Sequence, residues 1–193
     1  MSAVDRTTAT SRLAGGAAGG ITAYLLGYLT VYVTQRGRVD EQLQGFNALA
    51  DLLGGDPIPA WQAVGWVFYN AHFVATELPT PLGGVRTENF ISSAEGGALA
   101  ALYVVPLLSL VVAGLLVGRA ANAESHTAGA RAGGLVVVGY LPLAVVGGVA
   151  FSYSVGDGAI APDLLTAVLL AGIVYPVALG GAGGAAAALL DGE

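Results

Sequence analysis

Four long apolar stretches, almost free of charge, constrain this chain more than any other feature of its sequence. They cover residues 14–34, 97–118, 132–151 and 162–189, and the one charged residue among them, Asp163, lies at the start of the fourth. A helix needs about 20 mostly apolar residues to cross roughly 30 Å of hydrocarbon, because each residue adds about 1.5 Å. The pattern therefore predicts an all-α fold, an integral membrane helical bundle with four transmembrane helices.

The composition excludes several classes of protein. Only 10% of the 193 residues are charged and 55% are hydrophobic, whereas a soluble domain has about 25% charged residues. The basic residues are all arginine, and the net charge of −6 makes the chain a poor partner for nucleic acid. An acidic, lysine-free chain also favours a salt-rich host, since concentrated salt screens its self-repulsion. The chain has no cysteine, which excludes disulfides and thiolate chemistry.

Arginine distribution predicts the orientation. The loop 119–131 holds two arginines against one glutamate, so the positive-inside rule places it in the cytoplasm. The next loop holds Asp157 and no arginine, which places it outside. With four spans, both termini are cytoplasmic and residues 35–96 face outwards. We therefore expect a multi-pass protein of the cell membrane, with residues 1–193 as one membrane domain and 35–96 as its extramembrane or interfacial segment.

Residues 35–96 contain two further helical patterns. Apolar residues recur at helical spacing over 39–53, which predicts an amphipathic helix closed by Gly54 and Gly55. Residues 60–78 are apolar and aromatic but carry several polar side chains. We expect residues 60–76 to lie in the outer membrane interface, which suits amphipathic aromatic rings. The alternative is a fifth span, which would turn the amino terminus outwards.

Small residues predict how the spans pack. Within hydrocarbon, helices associate where glycine lets their backbones approach. Pairs with GxxxG spacing are Gly15/Gly19, Gly16/Gly20, Gly129/Gly133 and Gly180/Gly184. They predict either packing within the molecule or contacts in a homo-oligomer.

Motifs for common catalytic chemistry are absent from the sequence. It has no phosphate-binding glycine loop, zinc-protease motif or serine-hydrolase elbow. The interiors of the predicted spans hold no ionisable acid or base of the kind that ion-coupled transporters use. The two histidines, His72 and His126, fall on opposite sides of the predicted membrane. We therefore expect no metal, no cofactor and no enzymatic activity.

Two groups of residues are candidate sites. The first is a candidate site for a ligand or partner, formed by Trp66, Tyr69, Asn70, His72 and Glu77. The second could line a cavity where prolines kink the spans, and comprises Tyr103, Ser109, Tyr140 and Tyr175. Each group also has a plainer interpretation. The first could be an interfacial helix facing lipid headgroups, and the second could reflect the ordinary tolerance of membrane helices for proline.

The segment VGWVFYNAHFV, Val64 to Val74, follows a glycine-rich first span and an acidic loop. With the arginine after the second span and the Gly/Ala-rich end, it resembles an uncharacterised family of small multi-pass membrane proteins from haloarchaea. The resemblance implies no catalytic residue.

Three functional hypotheses follow from these patterns. The first is a non-catalytic membrane protein that acts through contacts, as a subunit or accessory of a membrane assembly. The alternative is a small permease or channel-like transporter for a neutral or hydrophobic solute. The third is a membrane enzyme that acts on a lipid or cofactor through His72. Besides the lipid bilayer, the expected partner is another membrane protein or a second copy of the chain.

Overall fold

The computed structural model describes residues 3–52, 55–80, 83–94 and 98–190. Most of these residues are helical. The helices, in chain order, are α1 Ala3–Leu52, α2 Ala60–Asn70, α3 Val104–Ala120, α4 His126–Gly134, α5 Val137–Ala150 and α6 Leu164–Leu190. A 3₁₀ segment, Ala98–Tyr103, leads into α3.

Four helical segments of the described residues are long and apolar enough to cross a membrane. They are Ala9–Leu52, Leu99–Ala120, His126–Ala150 and Leu164–Leu190. The four apolar stretches of the sequence fall within these segments to within two residues. The fifth span considered for residues 60–78 does not form, since α2 has 11 residues and the chain continues from it into a strand. A helix of that length rises about 16 Å, roughly half of what a bilayer requires.

Helix α1 continues without a break through the point where the first span was expected to end. It has 50 residues and absorbs the amphipathic helix that the sequence predicted as a separate element over 39–53; Leu53 and Gly54 lie outside the described residues. No proline interrupts residues 35–38, and Arg36 pairs with Asp40 one turn later at 3.6 Å, a spacing that supports a helix. A helix of this length is about 75 Å long, more than twice the roughly 30 Å of a bilayer's hydrocarbon core.

Neighbouring helices run up and down the bundle. Along α1, Gly19 faces Val117 whereas Gly27 faces Ser109, so α1 and α3 are antiparallel. Gly114 and Gly118 face Gly180 and Gly184 in the same order, so α3 and α6 are parallel. Together with α4 and α5, which run parallel to α1, this arrangement brings the start of α1, the loop 121–125 and the end of α6 to one end of the bundle.

Glycine pairs make these close approaches possible. Gly129 and Gly133 of α4 face Gly180 and Gly184 of α6, where added Cβ atoms would overlap the opposite backbone. Gly16 and Gly20 of α1 lie equally close to the backbone at Leu135 and Val136. These three pairs therefore confirm the prediction of packing within the molecule. The fourth pair differs, since a Cβ at Gly15 would meet no atom within 4 Å.

A small antiparallel sheet covers the opposite end of the bundle. Its strands are β1 Thr76–Pro79, β2 Val85–Glu88, β3 Tyr153–Val155 and β4 Gly158–Pro162, in the order β2-β1-β4-β3. The all-α expectation missed this sheet because its strands are only three to five residues long. The pairing of β1 with β4 joins the segment after α2 to the loop between α5 and α6.

Helix α6 is wider than an α-helix through its middle. Its first turn is capped by Asp163, whose carboxylate accepts a hydrogen bond from the Thr166 N–H at 3.1 Å. The residues 167–174 and 176–180 that follow are π-helical. Pro176 has no N–H and therefore cannot donate the i→i−4 hydrogen bond of an α-helix. A π-helical segment is a known local departure from that hydrogen-bond pattern. Tyr175 lies between the two wide segments and faces the centre of the bundle.

Candidate functional site

Helix α2 is enclosed by protein on every side. Each residue from Gln62 to His72 is buried, and exposure returns only at Trp61 before this run and at Phe73 after it. The plainer interpretation of the first candidate group, a helix whose polar atoms face lipid headgroups, is therefore wrong. The physical reason is that α1, α5 with the residues just after it, and residues 74–90 supply hydrogen-bond partners for the polar side chains from Gln62 to His72.

The first turns of α2 cap the end of α5. The Gln62 amide donates to the carbonyl oxygens of Ala150 and Ser152 at 3.2 and 2.8 Å. The Trp66 indole N–H donates to the Phe151 carbonyl at 2.6 Å. Carbonyls at the end of a helix have no partner within the helix. Two side chains of α2 thus satisfy carbonyl groups that have no partner within α5.

Deeper along α2, two tyrosines form a hydrogen-bonded chain. The Tyr69 hydroxyl donates to the Ala144 carbonyl, which can only accept. The Tyr24 hydroxyl lies 3.2 Å from that of Tyr69, so Tyr24 must donate to it. Gly147 gives room for both hydroxyls, since a Cβ there would overlap that of Tyr24. The chain links α1, α2 and α5.

His72 ends the buried run with both ring nitrogens bonded. Nδ1 lies 2.8 Å from the Phe68 carbonyl oxygen and therefore carries the hydrogen, which leaves Nε2 to accept from the Tyr140 hydroxyl at 2.7 Å. The imidazole also packs against Phe68 and Tyr175, with ring centroids 4.8 and 5.2 Å away. Burial lowers the pKa of His72 to about 4 from its ordinary 6.5, so the ring is neutral near pH 7.

Asn70 fixes the path of the chain after α2. Its amide nitrogen donates to the Val74 carbonyl at 2.8 Å and to the Thr76 hydroxyl at 3.2 Å. Its side-chain oxygen accepts from the Phe90 N–H at 2.9 Å. The Asn89 side chain donates back to the Asn70 carbonyl at 3.1 Å. These hydrogen bonds hold the start of β1 and the segment around residue 89 against the end of α2.

Glu77 is separate from the other four residues of the first candidate group. It lies within β1, opposite Thr87 on one side and Ala161 on the other. Trp66, Tyr69 and Asn70 lie on α2 and His72 lies in the turn just after it, and the polar atoms of all four bond to protein. Their arrangement holds a helix in place and leaves no open polar face on it.

The second candidate group converges on the end of α2. Tyr140 and Tyr175 pack against His72, and Tyr103 stacks on Phe73 with ring centroids 4.5 Å apart. The side chain of Ser109 bonds instead to the Pro106 carbonyl at 3.2 Å. Two of the three tyrosines thus pack on the buried His72, and the third stacks on Phe73, which is 59% exposed.

Every buried side-chain nitrogen or oxygen in residues 9–52, 55–80, 83–94 and 98–190 that lies in a non-exposed residue has a hydrogen-bond partner. In the same ranges, no three histidine or carboxylate residues cluster so that they could hold a metal ion.

The chain matches the model of a family of unknown function, DUF7978, over residues 2–191. It belongs to DUF7978. No curated protein and no solved structure matches it. The match agrees with the resemblance to an uncharacterised family, and the description of DUF7978 assigns no activity to it.

In this DUF7978 chain, sequence reasoning missed several partners of α2. Tyr24, Thr76 and Asn89 form hydrogen bonds with residues of α2. Within α2, Gln62 donates to the carbonyl of Ser152, 90 residues away. Two local signals were present in the sequence. Gln62 is a polar residue in an apolar run, and Gly147-Gly148 is a pair of small residues facing the tyrosine hydroxyls.

Proposed function

We propose that this DUF7978 chain is a non-catalytic integral membrane protein that acts through contacts, as a subunit of a membrane assembly. The four long helices support the membrane location, because large apolar side chains cover their outer surfaces. Such surfaces are stable in hydrocarbon, where helices satisfy their own backbone groups, and are a liability in water. The closed hydrogen bonding of α2 supports a structural role for the buried polar residues.

The proposed orientation follows the arginines. The end of the bundle that holds the start of α1 and the loop 121–125 also holds Arg12, Arg119 and Arg131, and basic loops face the cytoplasm. Both termini are then cytoplasmic and the small sheet is outside. The acidic composition supports a salt-rich host as part of the same proposal.

The second half of α1 carries the proposed contact. If residues 9–34 cross the bilayer, residues 35–52 extend outside it. Three large apolar side chains are exposed on this part at intervals of three residues: Phe46, Leu49 and Leu52, the leucines with 57% and 83% of their surface free. Residues at this spacing lie on neighbouring parts of one helix surface. We call these three residues the α1 stripe.

The α1 stripe fits another membrane protein better than a second copy of this chain. Exposed apolar clusters outside hydrocarbon mark interaction sites. Asp51 precedes the last residue of the stripe and Asp56 follows the helix, so a symmetric dimer through this end of α1 would bring like charges near one another. An apolar helix with a basic flank on a different membrane protein would instead be complementary.

Affinity capture from native membranes tests this proposal. Tagged wild-type protein, solubilised gently in high salt, should retain a second membrane protein in a stoichiometric amount, identified by mass spectrometry. Replacing Leu49 and Leu52 by alanine should reduce that retention by about tenfold or more, since each buried leucine side chain contributes roughly 2 kcal/mol.

The matched control is Leu25→Ala with Leu29→Ala, two leucines of α1 that are also half-exposed but lie within the proposed span. This variant should retain the partner as the wild type does. Wild-type protein that is recovered alone, or only with further copies of itself, would contradict the proposal.

A further inference from the structure

A cleft opens where α1, α3 and α4 meet, at the end of the bundle that we propose faces the cytoplasm. Its inner part has a volume of about 670 Å³ and its outer part, beside the loop 121–125, about 590 Å³. The two parts adjoin each other, and both are lined by Arg12, Ala121, Asn122, Ala132 and Leu135.

The inner part is apolar and unfilled. Its walls include Ala18 and Gly19 of α1 and Leu116 and Val117 of α3. A side chain at Gly15, which lines the same space, would meet no atom within 4 Å, whereas a Cβ at the next residue, Gly16, would lie 2.5 Å from that of Leu135. The helix therefore packs tightly on one side of this glycine pair and leaves open space on the other.

The outer part carries two arginines from different helices. Arg12 of α1 lines both parts of the cleft and Arg131 of α4 lines the outer part, together with one carboxylate, Glu124. Ion pairs within the described residues are Arg36–Asp40 and Arg86–Glu88, so neither Arg12 nor Arg131 is paired there. In a chain with net charge −6, two unpaired arginines at one opening are a local basic site.

We propose that the cleft binds an anionic phospholipid from the cytoplasmic leaflet. Its phosphate lies at Arg12 and Arg131, and part of one acyl chain lies between α1 and α3. Guanidinium groups form forked, charge-assisted hydrogen bonds with phosphate, and basic pockets between helices on the cytoplasmic side suit anionic headgroups. The apolar inner part favours a lipid over a soluble phosphate ester, which would leave that space empty. The inference rests on the membrane arrangement of the proposed function, but not on its protein partner.

Lipid retention by the full-length protein tests the headgroup contact. Protein purified in a nonionic detergent is incubated with phosphatidylglycerol and phosphatidylcholine of identical acyl chains, and the lipids that remain bound are counted by native mass spectrometry. We expect a preference for phosphatidylglycerol of about 25-fold, roughly fivefold for each arginine. The Arg12→Gln/Arg131→Gln variant should lose this preference. The Arg36→Gln/Arg86→Gln variant, which changes the net charge equally, should keep it.

Filling the cleft tests the acyl-chain contact. Gly15→Leu should lower the retention of both lipids, because the added side chain occupies the open space. The matched control is Gly45→Leu on the same helix, where a Cβ also meets no atom within 4 Å; it should retain lipid like the wild type. Glycerol phosphate at the same concentration should displace little phosphatidylglycerol.

Three results would overturn the inference. They are equal retention of the two lipids by the wild type, an unchanged preference in the Arg12/Arg131 variant, and full displacement by glycerol phosphate. Partner capture with the wild type separates the two proposals, since a wild-type protein that retains the partner but shows no lipid preference would refute only the lipid site.

Discussion

His72 and Tyr140 form a neutral, buried hydrogen-bonded pair whose proton positions are determined by their neighbours. The Phe68 carbonyl requires a hydrogen on Nδ1, and Nε2 then accepts from Tyr140. An imidazole with both nitrogens bonded in this way has no free lone pair for a metal or a substrate. This residue-scale arrangement supports the proposed non-catalytic role, in which His72 joins the end of α2 to α5.

Acidification should destabilise the fold through His72. The pKa of its ring is about 4 in the folded protein and 6.5 when it is exposed, so below pH 6.5 the unfolded chain binds a proton that the folded chain does not. The stability contribution is complete above pH 6.5 and declines as the pH falls towards 4, by up to about 1.4 kcal/mol per pH unit. We expect the free energy of unfolding in detergent to fall by about 1–2 kcal/mol more for the wild type than for His72→Gln between pH 7 and pH 5.

Carboxylates also titrate over part of this range, which is why the comparison is with a variant. His126→Gln removes the other histidine, an exposed one, and should keep the pH dependence of the wild type. Parallel pH profiles for the wild type and His72→Gln would refute the assignment.

At the scale of elements, α2 is a short helix that the longer helices surround. Its residues are buried around the whole circumference, as expected for a helix without a consistent polar face. The four long helices can accommodate it because α1, α4 and α6 approach one another through glycines elsewhere. The helices thus pack closely at the end of the bundle near the loop 121–125, and α2 lies between them towards the other end.

Gly133 and Gly134 are neighbours whose substitution by alanine should change stability to very different extents. A Cβ at Gly133 would overlap the Gly180 carbonyl oxygen, whereas at Gly134 the nearest atom would be the Val177 carbonyl oxygen at 3.8 Å. Gly133→Ala should force α4 and α6 apart and cost about 1–3 kcal/mol. Gly134→Ala should change the free energy of unfolding by less than about 1 kcal/mol. Denaturant unfolding of both variants in detergent measures the difference, and equal effects would contradict the packing of α4 on α6.

At the scale of the whole molecule, the alternating helix directions separate two ends with different chemistry. The end with the loop 121–125 holds the arginine-lined cleft. The other end holds the four-stranded sheet and the start of α2. An even number of crossings is required for both termini to lie on the arginine side.

Single cysteines test this topology, because the natural sequence has none. We expect Asp157→Cys, in the exposed turn between β3 and β4, to react with a membrane-impermeant maleimide on intact cells. Glu124→Cys, in the exposed loop before α4, should react only after the membrane is permeabilised. Labelling of both residues from the same side would contradict the four-span arrangement.

The sequence by itself determined the long helices and much of their packing. Apolar runs such as 97–118 and 132–151 are long enough for a helix whatever surrounds them, and the Gly129/Gly133 and Gly180/Gly184 pairs predict close contact because each pair lies on one helix face. These are local properties, which depend on spacing along the chain alone. The choice between intramolecular packing and an oligomer stayed open, because spacing does not identify the opposite surface.

Only the tertiary structure decided where α2 lies and what its polar residues do. Trp66, Tyr69, Asn70 and His72 were identified from the sequence as a group, but an apolar, aromatic segment with a few polar side chains fits an interface and a protein interior equally well. The contacts that place it in the interior join Gln62 to Ser152 and His72 to Tyr140, across 90 and 68 residues. Periodicity describes the surroundings that a segment requires, whereas the partner of a buried polar group depends on which distant segment the fold brings beside it.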